Sequence, residues 1–336
     1  MENGILLTAS EERRMKATVT TLVVPCFNEA ERLECDAFID FANRHSDIRF
    51  LFVDDGSSDQ TLQTLVQLRR RAPRDRVEVL SLDRNRGKGE AVRIGMLHAL
   101  KPLSHARVDR EASSVPSTAM GFLGYFDADL ATPLDEIPRL IEVGRRRKDV
   151  AVVVGSRMRL QGRFIDRTPL RRLCGHVFAL MASILLGTRI RDTQCGAKLF
   201  RVDSRLRQIL AEPFMSRWLF DVELLARLTL PPISDLRQAS RFSEPTATTL
   251  FEYPLDRWDE VAGSKLRLST FLLAPLELLR IAAMYRLGVR SPFERETVPE
   301  PTILSFPPME TDFIAEQENS SAPASRPVVP KLRKSA

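Results

Sequence analysis

The sequence predicts an α/β fold with a mostly parallel central sheet and helices on both faces. Three observations carry that expectation. Between residues 18 and 155, short β-rich runs alternate with helical patterns, the order in which βαβ units build a sheet. The runs are predominantly apolar, as strands covered on both faces are. Each run ends in acidic, basic or glycine residues, at the strand ends where ligands gather in sheets of this kind.

The first run, TVTTLVV at 18–24, leads into Pro25, Cys26, Phe27, Asn28 and Glu29, and a helical pattern follows over 30–43. The second, IRFLFV at 48–53, leads into Asp54, Asp55, Gly56, Ser57, Ser58 and Asp59. Ser58 or Asp59 then caps a helix over 59–71. The third, VEVLS at 77–81, is followed by Arg84, Asn85, Arg86, Gly87, Lys88 and Gly89, then by a helix over 88–100. That basic, glycine-bearing turn suits an anion at a helix N-terminus, although it has the spacing of neither a Walker A loop nor GxGxxG. The fourth, GFLGYF at 121–126, gives Asp127, Ala128 and Asp129, then a helix over 134–147. The fifth, VAVVV at 150–154, gives Gly155, Ser156 and Arg157. These strand ends are expected to converge on one crevice. Stretches 101–120 and 231–248, rich in Pro, Ser and charge, read as surface loops.

Of 336 residues, 43% are hydrophobic and 28% charged, ordinary globular usage that excludes a disordered, collagen-like or coiled-coil chain. The net charge of +6 is mild and the basic residues have no aromatic interleaving, so nucleic-acid binding is not expected. Residues 291–320 hold Glu294, Glu296, Glu300, Glu310, Asp312, Glu316 and Glu318 against one base, Arg295, among many prolines. Without periodic apolar surface, 291–336 reads as a disordered, Pro-rich acidic tail. Residues 1–17 read as an N-terminal extension and 18–290 as the folded domain. Cys26, Cys35, Cys174 and Cys195 form no CxxC pair and no metal spacing, which reads as reduced thiols in a cytosolic protein. No stretch reaches the about 18 uncharged apolar residues that would span a bilayer.

Asp127 and Asp129 bracket one residue at a strand end, so they project the same way. Two carboxylates so placed suit a hard divalent cation, Mg²⁺ or Mn²⁺, shared with a diphosphate. An isolated DxD is more often a solvated acidic turn; the other polar strand ends favour the metal. Asp54 and Asp55 cannot sit in a sheet core unpaired. One of them is expected to accept hydrogen bonds from a nucleoside base or ribose.

VPCFNE (24–29), DDGSSDQT (54–61), NRGKGEAV (85–92), DADLATP (127–133), GSR (155–157), DTQCGAKLF (192–200) and FDVELL (220–225) occur in that order. As an ordered set they resemble the family 2 glycosyltransferases of GT-A fold. Within that family the chain is similar to the polyprenyl-phosphate (dolichyl-phosphate) glucosyl- and mannosyltransferases. RDTQCG at 191–196 and EVAGSKLR at 260–267 look like the glucosyl branch. The resemblance implies that Pro25, Asn28 and Glu29 line a nucleotide pocket, with Asp54 and Asp55 near the nucleoside and Lys88 near the donor. It implies that Asp127 and Asp129 hold the metal and the donor diphosphate, and that Arg157, Arg163 and Arg167 meet phosphate. Asp192 would lie by the acceptor as the catalytic residue, with Gln194 and Lys198 in the same motif. The implied donor is a nucleotide diphosphosugar, UDP-glucose favoured over GDP-mannose, and the implied acceptor a polyprenyl phosphate. Ala197 stands where a Phe is usual, implying a smaller acceptor wall. The transmembrane helices of many relatives have no counterpart here.

Other features stay open at this stage. Arg157, Arg159, Arg163, Arg167, Arg171 and Arg172 with only Asp166 between them read equally as a solvated face or as a loop closing on phosphates. The apolar stretches 177–187 and 270–287 read as core helices or as segments that dip into a membrane surface, giving a peripheral site on the cytosolic face; Pro275 should kink or start its helix. Trp218 and Trp258 read as packing residues, Trp218 alternatively as a border of the acceptor site. A phosphate acceptor is already largely deprotonated, its second pKa being near 6, so Asp192 would orient rather than remove a proton. A soluble hydroxyl acceptor would need a true base, Asp192 or Asp221. A catalytically silent nucleotide-sugar binder is the third reading.

Overall fold

Strands come first in the architecture, and a computed structural model describes them within residues 19–101, 120–158, 164–165, 169–187, 190–230, 249–259 and 268–287. The strands are β1 (Val19–Cys26), β2 (Ile48–Asp54), β3 (Val77–Ser81), β4 (Met120–Phe126), β5 (Val150–Ser156), β6 (Phe164–Ile165), β7 (Ala197–Arg201), β8 (Thr249–Pro254) and β9 (Arg257–Trp258). The helices are α1 (Cys35–Arg44), α2 (Thr61–Arg71), α3 (Lys88–Ala99), α4 (Glu136–Arg146), α5 (Pro169–Leu186), α6 (Ser204–Ala211), α7 (Phe220–Thr229) and α8 (Leu268–Leu287). The chain divides into two units, Met1–Ser305 and Phe306–Ala336, and every described residue lies in the first. The expected extension 1–17, the tail 291–336, the loop 231–248, nearly all of the loop 101–120, the EVAGSKLR motif, Arg163 and Arg167 fall outside the described residues.

One seven-stranded sheet runs β3-β2-β1-β4-β7-β5-β8, and β6 pairs with β9 in a small parallel ribbon. All main-sheet pairings are parallel except those of β7, which is antiparallel to both β4 and β5. The expected mostly parallel α/β sheet is therefore present. Helices cover both faces because the strands are apolar on both. On β2, Phe50 and Phe52 meet Phe38 of α1 edge-on at 5.2 and 5.0 Å between ring centres. Leu51 and Val53 point the other way, into the core that contains Ala91, Val92 and Met96 of α3. The reversed β7 matters for function. Its N-terminal end lies at the same sheet edge as the C-terminal ends of the parallel strands, so the segment 190–196 joins the polar strand ends.

Two helices start later than their periodicity predicts. Residues 30–34 form a turn closed by the N–H groups of Arg32 and Leu33 on the Glu29 carbonyl. Neighbouring donors are already taken, Glu29 N–H by the Thr61 hydroxyl at 2.8 Å and Ala30 N–H by Asp59 at 3.2 Å. Asp59 accepts the Thr61 N–H at 3.0 Å at the start of α2, whose N-cap position is Gln60. Pro275 lies inside α8, which continues through it. In α5, Phe178, Ala182 and Leu185 are buried while Val177, Leu180 and Ile184 are exposed. The stretch 177–187 is thus a core helix on one face and an open apolar stripe on the other.

Candidate active site

At the end of β2, Asp54 is 2% exposed and accepts the Ser57 N–H at 3.2 Å and the Ser81 hydroxyl at 3.3 Å. It was expected at the nucleoside; its carboxylate instead turns inward and fixes the turn bordering the crevice. Asp55 takes the Arg86 N–H at 2.7 Å on one oxygen and the Gly87 N–H at 2.8 Å on the other. That straps the basic turn before α3 to the end of β2. Gly56 permits the approach: its φ is +63°, and a Cβ there would lie 2.3 Å from the Arg84 carbonyl carbon. Burial pushes the Asp55 carboxyl up to about 6, against the pull of those two N–H donors.

The β1 loop closes the same side. Asn28, at φ 51° in the left-handed region, donates its N–H to the Ser57 hydroxyl at 3.0 Å and accepts the Ser58 N–H at 2.9 Å. Pro25 is half-buried beside it, and Glu29 pairs with Arg32 at 2.7 Å.

Asp127 sits at the centre. The Lys88 ammonium, from the first turn of α3, lies 2.6 Å from its Oδ1. Its N–H donates to the Gly196 carbonyl at 3.1 Å. Gly196 makes room for the carboxylate, since a Cβ there would stand 1.8 Å from Oδ2. Asp129 projects to the same side and accepts the Ala131 N–H at 3.1 Å. Burial and then the charge of Asp127 raise its carboxyl above the usual range. Two crowded, partly desolvated carboxylates call for a cation. Burial opposes the charge on Lys88, but Asp127 and then Asp221 hold it above the usual lysine range.

Asp192 faces this cluster from the segment before β7. Arg157 engages it through both oxygens, Nε at 2.6 Å and Nη2 at 2.7 Å, and adds its own N–H at 3.0 Å. The Arg157 guanidinium also lies 5.4 Å from the Trp258 ring centre. Trp258 therefore belongs to the site and not only to packing. Trp218 does pack, its ring 6.0 Å from that of Phe178. Gln194 is half-exposed between Asp192 and Gly196.

Three expectations are corrected here. Lys198 was placed with the acceptor, but its side chain is wholly buried, 2.5 Å from Asp221 and 2.7 Å from the Cys195 carbonyl. Antiparallel pairing sets it beside Tyr125, whose hydroxyl also donates to Asp221. Asp221, an alternative base, is for that reason consumed in a sealed network. Ala197 is fully buried in the sheet opposite Phe126, so a small residue there shapes the core and no acceptor wall.

One residue escaped the sequence reading altogether. Glu252 of β8 accepts the N–H groups of Arg191 and Asp192, both at 2.8 Å, on Oε1. It pins the backbone that presents Asp192. Its signal was a single acid inside a β-rich run, and β8 had not been recognised as a strand.

With the geometry in place, comparison decides the family. The family model described as glycosyl transferase family 2 matches residues 21–205. This chain is a family 2 glycosyltransferase. A dolichyl-phosphate beta-glucosyltransferase of Trichomonas vaginalis is 30% identical to this glycosyltransferase over 80% of the chain and 72% of that protein. The Drosophila melanogaster enzyme of the same name is 32% identical over 73% and 68%, and the human one 30% over 73% and 69%. Among solved structures, glucosyl-3-phosphoglycerate synthase from Mycobacterium tuberculosis, crystallised with Mn²⁺ and UDP-glucose, superposes with a TM-score of 0.52. It is 17% identical over 91% of this chain and 93% of that one, a likeness that establishes the GT-A fold.

Proposed function

We propose that this glycosyltransferase moves a hexose, glucose favoured, from a nucleotide diphosphosugar to a polyprenyl phosphate with inversion at the sugar carbon. The observation that carries the acceptor class is the two-point Arg157–Asp192 contact. A hydroxyl acceptor needs a base to take its proton, whereas Asp192 is engaged through both oxygens by Arg157 and Asp221 is sealed with Lys198. A phosphate acceptor needs none, being an anion already. The names of the relatives point to the same acceptor.

Asp127 and Asp129 would hold Mg²⁺ or Mn²⁺. Among the described residues no group of three or more His, Cys, Asp or Glu is placed to hold a metal, so the remaining ligands would come from the donor diphosphate and water. When bound, the ion supplies charge stabilisation to the leaving diphosphate. The chain's own residues do the rest. Asn28, Glu29 and Pro25, braced by Asp54 and Asp55, line the nucleotide side, with UDP favoured over GDP. Lys88 places a positive charge at the diphosphate. Glu252 holds the backbone that carries Asp192, and Asp192 fixes the Arg157 guanidinium, which would meet and orient the acceptor phosphate.

Among the described residues no helix is long and apolar enough to cross a membrane. Val177, Leu180 and Ile184 of α5 and Leu276 and Leu279 of α8 are exposed on helices that pack together. That surface would meet the bilayer in which the acceptor sits. A transfer screen over UDP- and GDP-sugars, with polyprenyl phosphate and with soluble hydroxyl acceptors, tests the reading. The expected result is transfer from UDP-glucose to polyprenyl phosphate, lost in Asp127→Asn and Asp129→Asn and in excess chelator. Transfer only to a hydroxyl acceptor would refute it.

A further inference from the structure

Two lysine–aspartate pairs lie side by side beneath the crevice, and they differ in one respect. The Lys198–Asp221 pair is sealed, with side-chain exposures of 0% and 8%. The Lys88–Asp127 pair is open at its rim, with side-chain exposures of 42% and 30%, although the Asp127 Oδ1 that meets the ammonium is itself buried. A sealed pair is a brace, because neither partner can leave without stranding a buried charge. An open pair at the floor of a crevice is exchangeable, because water or an incoming solute can replace either partner.

Charge counting shows what should replace it. Asp127, Asp129 and Lys88 together leave one net negative charge. A divalent cation arriving alone would invert that charge and would meet the Lys88 ammonium already 2.6 Å from its ligand. Arriving with a doubly charged diphosphate, it would leave the local charge unchanged. The ammonium then has a new anionic partner to turn to. Lys88 can make that turn: it stands in the first turn of α3 on a long, flexible stem, and its side chain is 42% exposed.

We propose that Lys88 is a resident counter-ion that occupies Asp127 until the metal and the nucleotide diphosphate enter together, so that the bare metal binds weakly. This rests on the reading of Asp127 and Asp129 as metal ligands, and it adds that the ammonium competes for one of them. The sealed pair behind it keeps Asp221 from serving as the alternative resting place, since Lys198 and Tyr125 already hold that carboxylate.

The test measures Mn²⁺ binding by electron paramagnetic resonance and calorimetry, without donor turnover, on wild type, Lys88→Met, Lys88→Gln and Lys88→Arg, each with and without UDP. Circular dichroism checks that each variant is folded, and the glutamine variant stands in if methionine does not fold. Wild type is expected to bind Mn²⁺ weakly alone and much more tightly with UDP. Lys88→Met should bind bare Mn²⁺ at least about tenfold more tightly than wild type, the least expected on removing a full charge at ion-pair distance. It should show a smaller gain from UDP, and Lys88→Arg should stay weak like wild type. If the neutral variants bind bare Mn²⁺ no more tightly than wild type, while UDP still promotes binding in both, the counter-ion role is overturned and the metal site stands. If no Mn²⁺ binds with UDP present, or if Asp127→Asn and Asp129→Asn leave that binding intact, the metal-site reading itself falls, and this inference with it.

Discussion

Gly196→Ala should silence the enzyme while leaving it folded. The new methyl carbon would lie 1.8 Å from Asp127 Oδ2 and 2.1 Å from Cγ. Carbon and oxygen pack at roughly 3.5 Å, so the carboxylate must retreat by roughly 1–2 Å. That breaks the 2.6 Å contact with Lys88 and re-aims the group expected to hold the metal. A misplacement of about 1 Å in a catalytic constellation costs roughly 10²-fold in rate. The fold should be spared. The colliding atoms belong to a side chain that is partly exposed, and the φ of Gly196 lies outside the left-handed region, so alanine brings no backbone strain there. The assay is transfer from UDP-glucose to a polyprenyl phosphate beside a thermal melt. The expected outcome is turnover at about 1% of wild type or below, with a melting temperature within about 4 °C. Wild-type turnover would refute the argument that Gly196 exists to make room for Asp127. A collapse of the melting temperature would show that β7 moved and the carboxylate did not.

Asp192→Asn should lower turnover and leave the pH profile following the acceptor's own ionisation near pH 6; a profile that loses an enzyme-borne limb would restore Asp192 as a base. Burial puts the Asp55 carboxyl at about 6 in the folded protein against 3.8 unfolded, so the native state holds this proton the more tightly. By this group alone, stability is greatest below about pH 4, declines as pH rises to about 6 and is level above. Asp55→Asn should remove that part of the slope in melts taken across the range, and an unchanged slope would refute the assignment. Leu180→Asp with Ile184→Asp should reduce flotation with anionic vesicles that carry polyprenyl phosphate, without changing the melt, because both side chains are exposed on α5. Undiminished flotation would remove α5 from the membrane-facing surface.

Much of the fold was legible from local pattern. β1 to β5 announce themselves because strands buried on both faces are near-continuous apolar runs, and α1 to α4 because their apolar residues return at the helical period. The convergence of Asn28, Asp55, Lys88 and Asp127 was legible for the same reason, as parallel strands deliver their C-terminal ends to one edge. β7 and β8 were not. β7 is AKLFR, five residues with a lysine in second place, and nothing in it states that the lysine will be buried. β8 follows a stretch that reads from sequence as a loop and carries Glu252, which reads as a solvent-facing acid.

The sequence by itself determined the sheet class, the polar strand ends, the DxD pair and the ordered motifs that mark the family, because each depends on residues close together in the chain. Only the tertiary structure decided which charges are available. Lys198 and Asp221 neutralise each other 23 positions apart, Glu252 reaches back 60 positions to hold Asp192, and Arg157 closes on Asp192 across 35. A motif names a charged residue. Whether that charge faces a substrate or another residue depends on which partner the fold brings within hydrogen-bonding distance, since burial makes an unpartnered charge costly and a partnered one unavailable.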